Sequence, residues 1–150
     1  MEWFVRAFLR AALAWLGLGV SLGVAMAVHP AWVIYRPAHL HMNLLGFVTM
    51  MIFGVAFHVI PRFTGRALHS GRLAALQWWV SNAGLALMVI GFGLRPHGAG
   101  AATGILGAGG VLAALGAYAF IYNIWRTLGT AAPHAAPVRP TGKPLPTVPT

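Results

Sequence analysis

Charged side chains interrupt this chain so rarely that the intervals between them define its architecture. They stand at Glu2, Arg6, Arg10, Arg36, Arg62, Arg66, Arg72, Arg95, Arg126, Arg139 and Lys143, leaving uncharged windows at 11–35, 37–61, 73–94 and 96–125. Each window exceeds the roughly 20 apolar residues that carry a helix across about 30 Å of hydrocarbon. None alternates as a barrel strand does, and an unpaired peptide group in lipid costs several kcal/mol, so the windows read as helices. The pattern therefore predicts an all-α integral membrane protein, a four-helix transmembrane domain over 1–128 with spans of about 8–28, 39–60, 73–94 and 99–125. Beyond Arg126 the sequence "TLGTAAPHAAPVRPTGKPLPTVPT" repeats proline and loses all apolar periodicity. It predicts a disordered Pro/Ala-rich tail over 129–150, within which His134 carries no information. A cleaved signal peptide is the competing reading of the first window, because Arg6 and Arg10 precede an apolar run ending in Ala25-Met26-Ala27. That run is longer than the roughly 7–15 residues of a typical signal core, which favours a retained span.

Helical periodicity within the windows picks out packing faces. In the third, Gln77, Ser81, Gly84, Met88 and Gly91 fall on one line at 100° per residue. The fourth carries Gly100, Gly104, Gly107, Val111, Ala114 and Tyr118 at similar spacing, and the first carries Ala12, Gly19 and Gly23. Small residues so spaced let helix backbones approach closely in lipid, against a sister helix or another protomer. Trp3, Trp32, Trp78, Trp79 and Trp125 fall near span ends, as an interfacial aromatic belt does.

Composition and charge refine this picture. The chain is 59% hydrophobic and 7% charged, with a net charge of +9, against roughly 25% charged residues in a soluble domain. With four spans, Arg6, Arg10, Arg62, Arg66, Arg72, Arg126, Arg139 and Lys143 share one side, and only Arg36 and Arg95 lie opposite. The positive-inside rule places both termini in the cytoplasm, and the expected location is a bacterial inner membrane. The arginines then mark topology and meet anionic lipid headgroups rather than nucleic acid. The absence of cysteine from these 150 residues excludes disulfides, iron–sulfur clusters, covalently attached haem and thiolate metal sites within them. Glu2 is the sole acidic residue, so hydrolytic zinc chemistry and carboxylate-based proton pumping lack a general base in the spans.

Candidate chemistry concentrates in the second span, which holds His41 near one surface and His58 near the other. About 25 Å separates them at 1.5 Å per residue, so they cannot share a site. Histidines inside a span usually face an interior or bind something, whereas His29, His39, His69 and His97 sit in or beside loops where a histidine costs little. Without thiolate or carboxylate help, imidazole serves as an axial haem ligand or a copper or zinc ligand.

The run "YRPAHLHMNLLGFVTMMIFGVAFHVIPRFTGR" resembles the second transmembrane helix of the haem–copper oxidase superfamily. The likeness is nearest to its nitric-oxide reductase branch, where an arginine precedes a His-x-Asn-Leu stretch and a proline closes the helix. The run is also similar, in "HVIPRFTG", to the NnrS family of haem- and copper-containing membrane proteins linked to nitric oxide. It covers about 30 residues and extends weakly through "GRALHSGRLAALQWWVSNAGL". In those oxidases the motif histidine is an axial ligand of low-spin haem b, a role the resemblance implies for His41. Arg36 then matches the arginine placed near a haem propionate. The oxidases have about twelve helices, and their remaining ligands come from helices absent here, so one chain cannot assemble their dinuclear centre.

The resemblance thus implies a membrane-bound b-type haem protein for electron transfer or for binding nitric oxide or oxygen. It would be a homo-oligomer, a trimer or else a dimer, with His41 as the haem iron ligand and an unidentified redox partner. The second ligand would come from another protomer, or from His97 or His39 ahead of His29. A second haem at His58, with His69 as partner, is a further expectation. Alternatives are a haem-free accessory subunit of a respiratory oxidase or reductase, and a copper-handling protein using His39, His41, Met42 and His97. None of these readings makes the chain an enzyme by itself, although a five-coordinate haem would react with nitric oxide or oxygen.

Overall fold

The structure is a computed structural model that describes residues 1–129; all but the first residue of the expected tail lies outside them. Its elements are helical and form four spans: α1 (Trp3–Val28), α2 (Pro30–Thr64), α3 (Gly71–Leu94, continued by a 3₁₀ turn, Arg95–His97) and α4 (Ala102–Gly129). Each is long and apolar enough to cross a membrane, as the charge-free windows predict.

α2 is longer and less regular than the expected 39–60. It opens with a 3₁₀ turn (Pro30–Tyr35), becomes α-helical over Arg36–His41, widens to a π-helix over Met42–Thr49 and returns to α over Met50–Thr64. Two prolines seed its start: Pro30 leads the 3₁₀ turn and Pro37 stands in the first turn of the α segment, where a missing N–H costs nothing. It stops at Gly65, whose φ of +63° suits glycine better than any other residue. Ser70 caps α3 by accepting the Leu73 N–H at 3.1 Å.

Adjacent helices run antiparallel. α1 packs on α2 through Phe4, Val5, Phe8 and Ala12. Phe4 meets Phe57 at 5.9 Å between ring centroids, Phe8 meets Phe53 at 5.9 Å, and Phe120 of α4 reaches Phe53 at 4.4 Å. These edge-on and tilted rings fill the middle of the bundle. α3 and α4 meet backbone to backbone, because a Cβ on Gly84 would lie 2.6 Å from Ala113 N and one on Gly109 would lie 2.7 Å from Met88 N. The expected α3 stripe is the buried one: Gln77, Ser81, Gly84 and Gly91 all point inward.

On α4 the small-residue line does not meet a sister helix. The buried positions of α4 are Ala102, Gly109, Gly116, Asn123 and Thr127, whereas Gly100, Gly104, Gly107, Val111, Ala114 and Tyr118 are exposed. A Cβ on Gly100, Gly104 or Gly107 would meet nothing within 4 Å. The heptad-like spacing of 102, 109, 116 and 123 follows the shallow left-handed crossing usual between membrane helices, so it, rather than the glycine-rich line beside it, contacts α3.

At one end of the bundle the 65–70 connection is tied to α4. Asn123 accepts the Ser70 N–H at 3.0 Å and donates to the Ser70 carbonyl at 2.8 Å, Thr127 accepts the His69 N–H, and the Arg66 guanidinium donates to the Leu128 carbonyl. Arg6, Arg62, Arg66, Arg72 and Arg126 cluster towards this end. Arg36 and Arg95 lie at the other, where Tyr35 meets His97. Trp3, Trp32, Trp79 and Trp125 are exposed near helix ends, in keeping with an aromatic belt.

Candidate functional site

The sequence-predicted histidines separate by the state of their ring nitrogens. His41 is half-buried, and its Nδ1 lies 2.8 Å from the Pro37 carbonyl oxygen. A carbonyl can only accept, so Nδ1 carries the proton and the Nε2 lone pair is free. A histidine that ligates a metal usually has its other ring N–H anchored in this way. Its ring also lies against Phe92 of α3, with centroids 4.7 Å apart. Arg36, the expected propionate neighbour, is exposed at the head of the same α-helical segment.

The π-helix begins at the residue after His41. Such segments recur at functional sites because they displace the residues around them from the α-helical register. In this segment the Thr49 side-chain hydroxyl donates to the Leu44 carbonyl at 2.8 Å. Within it Gly46 lies so close to α1 and α3 that a Cβ would be 2.5 Å from Trp15 Cβ and 2.9 Å from Leu85 Cδ2. No sequence pattern marks the change of register in this segment.

His39 turns the other way, since two residues along an α-helix rotate by about 200°. Its Nδ1 donates to the Gly19 carbonyl at 2.8 Å, and its ring fits where a Cβ on Gly23 would be 2.8 Å from Cε1. The Asn43 amide donates to the His39 carbonyl at 2.9 Å. His39 therefore meets the same tautomer requirement as His41, but its ring is wedged against α1. His97 lies 2.9 Å from the Tyr35 hydroxyl through Nε2, and His29 packs on Trp32.

His58 has the opposite chemistry. Arg62 Nη1 lies 2.8 Å from His58 Nδ1 and 2.7 Å from the His58 carbonyl. Arginine only donates, so Nδ1 accepts and the proton of the neutral ring sits on Nε2. A histidine held this way is a hydrogen-bond donor and does not fit the expected second haem while the Arg62 contact stands. The expected partner, His69, packs instead on Tyr122 at 5.7 Å.

Two hollows accompany these residues. One, of about 50 Å³, is lined by Leu45, Thr49, Ser81, Leu85, Ala113 and Ala117 and lies along α2 below His41. The other, of about 570 Å³, is at the arginine-rich end beside His58. The first is far too small for a macrocycle, so a haem on His41 would rest on the surface of one chain and need a second surface to cover it. Among the described residues no three His, Asp or Glu side chains gather as a metal-ion site, and His39 and His41 diverge, which leaves the copper reading without a converged ligand set.

No protein-family profile matches the chain, and no solved structure matches it. It is similar to the Cbb3-type cytochrome c oxidase subunit CcoN1 of Stutzerimonas stutzeri, at 30% identity over 91 residues, which cover 55% of this chain and 19% of that subunit. The chain thus spans about a fifth of the length of the relative it matches. That distant likeness, over roughly half of this chain, supports the haem–copper oxidase superfamily at most and does not bear on the nitric-oxide reductase branch or the NnrS family.

Proposed function

We propose that this protein is a membrane-bound b-type haem protein, multi-pass in the bacterial inner membrane with both termini cytoplasmic, that carries electrons or binds nitric oxide or oxygen. The observation that supports it most directly is the His41 imidazole, half-buried in a membrane-spanning helix, with Nδ1–H held by the Pro37 carbonyl and Nε2 unengaged. Bound there, haem iron would supply one-electron redox chemistry and an affinity for diatomic gases. The chain's own contribution is to fix the imidazole tautomer, to set Phe92 against the ring and to place Arg36 within the same surface region. Because the hollow nearest His41 among the described residues is only about 50 Å³, the proposal includes a homo-oligomer, trimeric or dimeric, in which another copy covers the exposed face and supplies the second ligand or leaves it open. The clustering of arginines at the end that carries both the start of α1 and the end of α4 supports cytoplasmic termini.

His39 is a second candidate ligand on one specific observation, its Nδ1–H anchored on the Gly19 carbonyl. The test is an optical spectrum, oxidised and dithionite-reduced, of purified wild type, His41→Ala and His39→Ala. A sharp reduced α band that survives in His39→Ala and is lost in His41→Ala is the expected result. Loss only in His39→Ala would move the ligand to the inner face. A colourless wild type prepared with ample haem would favour a haem-free accessory subunit of a larger oxidase or reductase.

A further inference from the structure

The imidazole of His41 is held from two helices at once. On its own helix, one turn towards the N-terminus, the Pro37 carbonyl takes the Nδ1 proton at 2.8 Å. From α3 the half-buried ring of Phe92 lies against it, with centroids 4.7 Å apart and planes inclined by 39°. The two contacts restrain different motions. A hydrogen bond at Nδ1 sets the tautomer and fixes one atom of the ring, yet lets the ring turn about the line from that nitrogen to the oxygen. An aromatic face at contact distance stops that turn. Phe92 is itself held in place from α4: its neighbour Gly91 is buried and seated so closely that a Cβ there would lie 2.6 Å from Leu106 Cγ.

We propose that Phe92 is a positioning residue, which fixes the plane of the His41 imidazole and with it the direction of the free Nε2 lone pair. The proposal rests on the reading of His41 as a haem ligand and deepens it. Metal-ligating histidines are commonly oriented through their other ring nitrogen; here a ring contact from a neighbouring span adds a second restraint. The plane of an axial imidazole governs the splitting of the g values of a low-spin ferric haem, so the contact has a spectroscopic signature that packing elsewhere in the bundle lacks. What matters is the flat face. Leucine fills the space with methyl groups and offers no such face, whereas tyrosine keeps it.

The test compares wild type, Phe92→Leu and Phe92→Tyr as full-length protein in detergent, all with the helical circular dichroism of wild type. Electron paramagnetic resonance of the oxidised, haem-loaded protein should show g values that shift in Phe92→Leu and return to those of wild type in Phe92→Tyr, with the haem content of all three within twofold. Unchanged g values in Phe92→Leu would overturn the proposal. Equal shifts in both variants would also overturn it, by making the residue a space-filler. A second measurement needs no haem. In haem-free protein carrying isotope-labelled histidine, the ring protons of His41, assigned by their loss in His41→Ala, should show a ring-current shift in the nuclear magnetic resonance spectrum. That shift should disappear in Phe92→Leu and survive in Phe92→Tyr. Its absence from wild type, or its persistence in Phe92→Leu, would overturn the proposal whether or not haem binds. A wild type that stays colourless while its His41 shift depends on Phe92 would end the haem reading and uphold the positioning of the ring, so the two proposals fail separately.

Discussion

At the scale of single residues, chemistry turns on which nitrogen of an imidazole holds the proton. His41 and His58 both stand out in the sequence because ionisable groups within spans are uncommon. Their difference is not legible there, since it depends on what each Nδ1 meets: a carbonyl at Pro37 in one case and a guanidinium at Arg62 in the other. Other polar residues of the spans are visible in the sequence, but their partners are not. Trp15 donates through its indole N–H to Asn82 at 3.0 Å, joining α1 to α3, and fully buried Asn123 holds both backbone groups of Ser70. Asn123→Ala would leave the Ser70 N–H and carbonyl without these partners, at a cost of about 1–3 kcal/mol. Thermal unfolding in detergent should show a clear drop for Asn123→Ala. An unchanged midpoint would mean that water replaces the side chain at no cost.

At the scale of elements, span number and approximate limits were legible because the cost of a charge in hydrocarbon leaves charge-free windows of the right length. The π segment was not: it is a change of register inside an uninterrupted apolar run, set by how Gly46 meets Trp15 and Leu85 across helices. The inward face of α4 is not legible in the sequence for a related reason. That helix is rich enough in glycine and alanine to offer two small-residue lines, and periodicity alone cannot choose between Gly100-Gly104-Gly107 and Ala102-Gly109-Gly116. The structure makes the choice testable. Gly84→Ala and Gly109→Ala each drive a methyl into opposing backbone, so each should destabilise the α3–α4 pair by about 1–3 kcal/mol, the usual cost of overpacking. Gly107→Ala meets open space and should leave the unfolding midpoint unchanged or slightly raised, alanine being the better helix former. Equal losses in all three variants would contradict the assigned face.

At the scale of the whole molecule, one chain has surfaces that its own fold leaves uncovered. Only 11% of the apolar window of α1 and of α4 is buried, and the exposed line on α4 runs through Gly104 and Gly107 to Val111 and Tyr118. Lipid can solvate such a face, so exposure alone says nothing about assembly. Size favours assembly instead: a haem on His41 would have an uncovered side, and the hollow beneath that histidine is about 50 Å³. If copies associate through the small-residue line of α4, a leucine placed there should separate them while leaving the α3–α4 contact intact. Gly107→Leu is therefore expected to lower the oligomeric mass measured by native mass spectrometry and to keep the helical circular dichroism of wild type, with any fall in the unfolding midpoint following dissociation. Under the shared-haem proposal it should also release haem in step with dissociation. A wild type that is monomeric and still holds low-spin haem would break that link, and would require both axial ligands to come from one chain.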